Sequence, residues 1–144
     1  MKVRSLASLL GLGLVGASAA AQFFSTEPIV DFRLPMFNDE GWRTWEVRGS
    51  EGRYIDENRV EITSLDLRLL SGDASATVET AITSPLAVVH PKDRTVTGPG
   101  ALRATGQGFR LYGEDWLYEH DSKTVTVRKA VVLTLDGTVG DILK

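Results

Sequence analysis

Trp116-Leu117-Tyr118-Glu119-His120-Asp121-Ser122-Lys123-Thr124-Val125-Thr126-Val127 decides the fold class. An apolar run enters a polar cluster and leaves it in strict alternation of Thr and Val. Period two of this kind marks a half-buried antiparallel strand. Asp and Ser between the runs bond their own backbone and favour a turn. The same unit stands twice upstream. Ala87-Val88-Val89 leads through His90 to Asp93 into Arg94-Thr95-Val96. Arg53-Tyr54-Ile55 leads through Asp56-Glu57-Asn58 into Arg59-Val60-Glu61-Ile62. The recurrence, about every 30 residues, fits stacked β-hairpins.

Alternation extends outward from these units. Val30, Phe32, Leu34 and Met36 share one face, and Trp45 and Val47 share another. Ala74, Ala76, Val78 and Ile82 alternate with Ser75, Thr77, Glu79 and Thr83. Val125, Val127, Val131, Leu133 and Leu135 keep one parity, with Lys129 interrupting it, which predicts a bulge or turn there. Further turns are expected at Asn38-Asp39-Glu40-Gly41, Gly49-Ser50-Glu51-Gly52, Ser71-Gly72-Asp73, Gly98-Pro99-Gly100, Gly106-Gln107-Gly108 and Gly113-Glu114. No stretch after Gln22 reads as an amphipathic helix. Many short strands with regular turns argue an all-β sandwich, barrel or jelly roll.

The chain opens differently. Met1-Lys2-Val3-Arg4-Ser5 is basic, residues 6–15 are apolar, and Gly16-Ala17-Ser18-Ala19-Ala20-Ala21-Gln22 is rich in small residues. Charge, apolar run and small-residue junction follow the order of a secretory signal. The apolar run falls short of the roughly 20 residues that span a bilayer. Cleavage is expected at Ala21-Gln22; an uncleaved segment would serve as an anchor. The expected division is a signal peptide over 1–21, a flexible lead-in over 22–29, a β-domain over 30–136 and a tail over 137–144. Losing Lys2 and Arg4 takes the net charge from −3 to −5. That balance speaks against nucleic-acid binding, which favours a basic patch. The absence of Cys excludes disulfides, thiol catalysis, cysteine-ligated metals and a lipoprotein anchor.

Catalytic chemistry finds little support. His90 and His120 are far apart in sequence, form no paired-His motif and read as solvated turn residues. Asp39-Glu40 and Glu114-Asp115 read as turn acids, not an acid/base pair. Gly106-Gln107-Gly108-Phe109 opens no helix, so it cradles no phosphate. Ser64, Ser71 and Ser84 lack the GxSxG setting of a nucleophile elbow. No catalytic residue, metal ligand or cofactor site is expected. The aromatic residues Phe32, Trp45, Phe109, Trp116 and Tyr118 fall on strands, where they either pack a core or line an apolar cleft.

Longer stretches resemble a known family. They are Ser84-Pro85-Leu86-Ala87-Val88-Val89, residues 96–109 from Val96-Thr97-Gly98-Pro99-Gly100 to Gly106-Gln107-Gly108-Phe109, Gly113-Glu114-Asp115-Trp116-Leu117-Tyr118 and residues 123–131. Gly49-Ser50-Glu51-Gly52-Arg53-Tyr54 and Arg59-Val60-Glu61-Ile62 join them upstream. Together these resemble the periplasmic lipopolysaccharide-export proteins, the OstA-like family of LptC and LptA type, over roughly residues 30–135.

The resemblance implies an open β-jelly roll with an apolar interior. Acyl chains of lipopolysaccharide or a similar amphipathic lipid would lie inside, with sugars in water. It also implies edge-strand pairing with other jelly-roll export proteins, attachment to a membrane transporter complex, a periplasmic location and no enzymatic activity. The expected cleft residues are Trp45, Val47, Phe109, Leu111, Trp116, Tyr118 and Val127, and the expected partner edge is Val131, Val132 and Leu133. The first and last strands are expected at opposite ends of the roll. Pro35 suits an edge strand, and the segment 130–135 carries no charge to blunt one. The competing readings are a structural or adhesive β-sandwich with a closed core and, lowest, a small secreted hydrolase.

Overall fold

The computed structural model describes residues 27–137. The expected signal and cleavage junction, and most of the tail, lie outside the described residues. Seven strands follow one another: β1 (Ile29–Phe37), β2 (Arg43–Asp56), β3 (Arg59–Leu70), β4 (Val78–His90), β5 (Thr95–Gly106), β6 (Phe109–Glu119) and β7 (Thr124–Leu135). They form a single sheet in chain order, each pair antiparallel. No helix occurs among the described residues. β1 and β7 each have a neighbour on one side only, so the sheet is open.

Strands of this length cannot keep strict alternation and also wrap a core. β3 buries Val60 and Ile62, then Leu65 and Leu67, so its parity changes between them. The change falls at Ser64, whose φ is 53°. β6 makes the same change before Trp116, at Asp115 with φ 56°. Asp31 in β1 and Ala130 in β7 also have positive φ. In β4 the parity changes across Pro85 and Leu86, where the β4–β5 ladder is interrupted between Thr83 and Val88. The register places all these irregularities within a few residues of one transverse line, a crease crossing all seven strands. Each left-handed non-glycine residue costs about 1–3 kcal/mol. The bulge it forms keeps the apolar side chains of both strand halves on one face.

That face closes on itself. The rings of Trp45 in β2 and Tyr118 in β6 lie 6.0 Å apart, although these strands are four positions apart in the sheet. Flat strands would hold them about 19 Å apart at 4.8 Å per strand. The sheet therefore curls into a jelly roll around Phe32, Trp45, Val47, Ile62, Leu67, Ile82, Val89, Val96, Trp116 and Tyr118.

The three repeated units are the β2–β3, β4–β5 and β6–β7 hairpins, which turn at one end of the roll, here the near end. Polar bonds join them. The Asn58 side chain donates to Asp93 at 2.8 Å and accepts from the Lys92 N–H at 2.9 Å. His90 Nδ1 donates to the Asn58 carbonyl at 2.9 Å. The His120 N–H donates to the Arg94 carbonyl at 3.0 Å.

Several expected turns lie inside strands. Gly49 to Gly52 is within β2, Gly98 to Gly100 within β5, and Gly113-Glu114 within β6. Gly49, Gly52, Gly98 and Gly113 serve close approach at the crease. A Cβ on Gly52 would overlap the Phe32 ring, and one on Gly98 would overlap the Trp116 indole. Conversely, residues 74–77 are not strand. Asp73 accepts from the Ser71 and Ser75 hydroxyls, which holds the β3–β4 connection as a polar loop. The irregularity expected at Lys129 falls one residue later, at Ala130.

Gly98→Ala therefore forces the Trp116 indole to move. Overpacking of this kind costs about 1–3 kcal/mol. The expected result is a lower urea midpoint with an unchanged far-ultraviolet spectrum and unchanged denaturant slope.

Candidate lipid-binding interior and assembly edges

The interior is built in rows, because residues opposite one another on neighbouring strands share a face. One row crosses the whole sheet: Leu34, Val47, Leu67, Ile82, Ala104, Leu111 and Leu133. The next, toward the far end, is Met36, Trp45, Leu69, Thr80, Gly106, Phe109 and Leu135. Val47, Leu67 and Ile82 are fully buried. Leu34 at one margin and Leu111 toward the other are half-buried, and Leu133 is 56% exposed. The apolar face is thus filled at its centre and open along the β6–β7 margin.

The expected cleft residues divide along this gradient. Trp45, Val47, Trp116 and Tyr118 are completely packed and form the floor. Phe109, Leu111 and Val127 are half-buried against that floor. Leu133 and Leu135 complete the open margin opposite Leu111 and Phe109. Sequence reasoning placed Leu133 and Leu135 on the edge strand without placing either in the interior. Their shared parity with Val125 and Val127 is the signal that could have placed both. Beside Phe109 a recess of about 880 Å³ opens at the far end, rimmed by Ser71, Asp73, Ser75, Thr77, Glu79 and Gln107.

The two edges differ. β1 carries Pro35, which lacks a ladder donor, and ends at the β1–β2 turn. β7 has β6 as its sole neighbour among the described residues. Its Val131, Val132 and Leu133 are each more than half exposed. They carry no charge along a strand side whose N–H and C=O groups face outward.

No cluster of potential metal ligands occurs among the described residues, nor any helix long and apolar enough to cross a membrane. The acids Glu114 and Asp115 lie within β6 at the crease, not in a turn. His120 is buried, not solvated. Its ring stacks on Trp45 at 4.7 Å, and its Nδ1 lies 2.8 Å from the Tyr118 hydroxyl. Burial holds the Tyr118 hydroxyl protonated far above its usual range, so the hydroxyl donates to or accepts from Nδ1 according to the imidazole tautomer. Burial also lowers the His120 pKa and favours the neutral imidazole, a polar strut between the layers.

No family model matches the chain, and no curated protein matches it in sequence. Among solved structures it is similar to the crystal structure of LptH from Pseudomonas aeruginosa, described as the LptA-homologous periplasmic component of the conserved lipopolysaccharide transport device. The chain has the LptA-like jelly-roll fold. The TM-score is 0.54 at 10% identity, over 79% of this chain and 96% of that one. At that identity the likeness is one of fold.

Burial lowers the pKa of His120 most, followed by the nearby charges of Arg94 and Lys123, with Asp121 acting in the opposite sense. The unfolded chain takes up this proton near pH 6.5, while the folded chain does so only at lower pH. Stability therefore falls as pH drops below about 6.5, until the folded-state pKa is reached. Urea midpoints measured from pH 7.5 to 5 should decline. In His120→Phe, which keeps the stack but leaves the Tyr118 hydroxyl without its hydrogen-bond partner, the midpoint should be lower at pH 7.5 and flatter across that range.

Proposed function

We propose that this protein is a periplasmic component of lipopolysaccharide transport. In this reading the jelly roll holds acyl chains along the open margin of its interior and pairs through its edges with related jelly rolls. The observation that carries the reading is the row from Leu34 to Leu133, dry at its centre and uncovered at β7. A soluble domain rarely leaves contiguous apolar surface open without a use for it. An acyl chain laid against Phe109, Leu111, Leu133 and Leu135 gains about 0.8 kcal/mol per buried CH₂, so binding needs no catalytic group. The fold likeness to a lipopolysaccharide-transport component supports the same assignment. So does the signal-like N-terminus, whose cleavage at Ala21-Gln22 would release residues 22–144 to the periplasm. The protein is not an enzyme in this reading. Directional movement draws its energy from a membrane transporter complex elsewhere.

The β7 edge supplies the bridge. Edge strands capture partners by main-chain hydrogen bonds, and Val131, Val132 and Leu133 present such an edge without a gatekeeping charge. A structural sandwich with a closed core is the second reading, favoured by the complete burial of Trp45, Val47, Trp116 and Tyr118.

A photo-reactive amino acid at Leu111 or Leu133 separates the two. Transport predicts ultraviolet-dependent crosslinks to lipopolysaccharide in cells from both positions, and none from the exposed Thr126 in the near half of β7. A closed structural sandwich predicts none from any of them. For the edge, Val132→Pro removes one ladder donor from β7. It should abolish crosslinking to a partner jelly roll while shifting the thermal midpoint by only a few degrees. Unchanged partner crosslinking in a folded Val132→Pro protein removes the bridge from the proposal.

A further inference from the structure

The outer face of the sheet, between the crease and the far end, collects arginine. One outer row reads Arg33, Arg48, Asp66, Thr83, Arg103, Tyr112 and Val132, and the next reads Pro35, Glu46, Arg68, Ala81, Thr105, Arg110 and Thr134. Arg43 stands beside the second row, bonded to Glu46 at 3.4 Å. Against these six arginines the two rows hold two carboxylates. Glu46 is shared by Arg43 and Arg48, and Asp66 binds Arg68 at 3.0 Å. Asp136, past the end of β7, reaches Arg110 at 3.4 Å. Arg33 and Arg103 make no ion pair among the described residues. Arg103 instead lies over the Tyr112 ring, 5.1 Å from its centre. The whole chain carries a net charge of −3, so this face is positive on an otherwise acidic molecule.

The type and placement of these residues are selective. No lysine stands in either row. The guanidinium fork binds phosphate oxygens in pairs and is less strongly hydrated than an ammonium. The charges spread over six strands, about 24 Å at 4.8 Å per strand, and do not converge on one point. Two recesses of about 490 and 630 Å³ run along the crease and share Ser64 and Asp66. The first is flanked by Arg33 and Arg48, the second by Arg103 and Tyr112. Exposed Tyr112, Val132 and Phe37 put apolar groups at the level of the arginines. A broad array of phosphate-binding forks mixed with aromatic and aliphatic side chains is complementary to a layer of anionic headgroups.

We propose that this face docks on a membrane surface through the phosphates of anionic phospholipids. The docking surface is the opposite face of the sheet from the lipid-binding interior and stands independently of it. Docking on Arg33 and Arg103 leaves the β6–β7 interior margin facing away from the bilayer.

The test is flotation of the full chain with vesicles of phosphatidylcholine alone or with 30% phosphatidylglycerol, at about 50 and 300 mM salt. The N-terminal run, with its basic Lys2 and Arg4, is common to every variant, so the difference in anionic preference between wild type and variant is the readout. Headgroup docking predicts stronger binding to the anionic vesicles, weakened at high salt. At about fivefold per surface arginine, Arg33→Gln/Arg103→Gln should lose about thirtyfold of the anionic preference. Both residues are exposed and make no ion pair among the described residues, so this variant should keep its thermal midpoint. Lys92→Gln/Lys123→Gln, the same charge change at the near end, should keep the preference. Equal binding to both vesicle types overturns the proposal, as does an Arg33→Gln/Arg103→Gln protein indistinguishable from wild type. Loss of the preference in millimolar inorganic phosphate at constant ionic strength also overturns it, in favour of a discrete phosphate site. Binding to polyglutamate without any anionic-vesicle preference overturns it in favour of an acidic protein partner.

Discussion

The structure depends on a geometric constraint: a strand of a dozen residues must face inward along both of its halves while the sheet bends between them. Period two fails at such a bend, since each half meets the core from a different angle. The chain solves this with irregularities set at one level, the left-handed residues of β1, β3, β6 and β7 and the interrupted β4–β5 and β5–β6 ladders. The left-handed residues Ser64, Asp115 and Ala130 are individually unfavourable, and only the surrounding ladders hold them in place. Once they are aligned, the two halves of the sheet enclose a common interior. The burial of Trp45 against Tyr118 and His120 follows from that alignment.

This explains what was legible in the sequence. The class, the hairpin repeat and the inward parity of most strands could be read directly, because they rest on local alternation and turn residues. The crease could not be read so directly. Gly49, Gly98 and Gly113 resemble turn formers, yet their role is to leave room for Ile62, Trp116 and Val127 across the sheet. That reason is tertiary and leaves no local trace. The Ala74 to Thr77 segment misleads in the other direction. Its alternation comes from hydroxyl residues that bond one another around Asp73 in a loop. His120 has a turn residue's sequence neighbours and a core residue's surroundings.

The interior shows a similar division between what alternation reveals and what curvature decides. Trp45, Val47, Phe109, Leu111, Trp116, Tyr118 and Val127 were all readable as inward-facing. Which of them are sealed depends on how far the sheet wraps, and the wrap stops before β7. The fully packed residues give the roll its stability. The half-covered ones at the β6–β7 margin stay apolar without contributing fully to it, as expected of a surface kept for a ligand. The polar bonds among the near-end turns, Asn58 to Asp93 and His120 to Arg94, secure that end while the opposite margin stays uncovered.

The strand order has a consequence for how the molecule comes into being. Because β1 to β7 lie in the sheet as they lie in the chain, every ladder joins segments adjacent in sequence. A polypeptide that emerges N-terminus first, from a ribosome or a secretion channel, can add each strand to the one already in place. The cost of closing long loops is largely avoided. The exception is the ring contact between Trp45 and the Tyr118–His120 pair, which spans more than seventy residues. Until β6 has emerged, a growing sheet shows its whole apolar face to water. The nascent chain is therefore most prone to aggregation when it is nearly complete, so a holding chaperone would matter most late in synthesis and become dispensable once that contact forms.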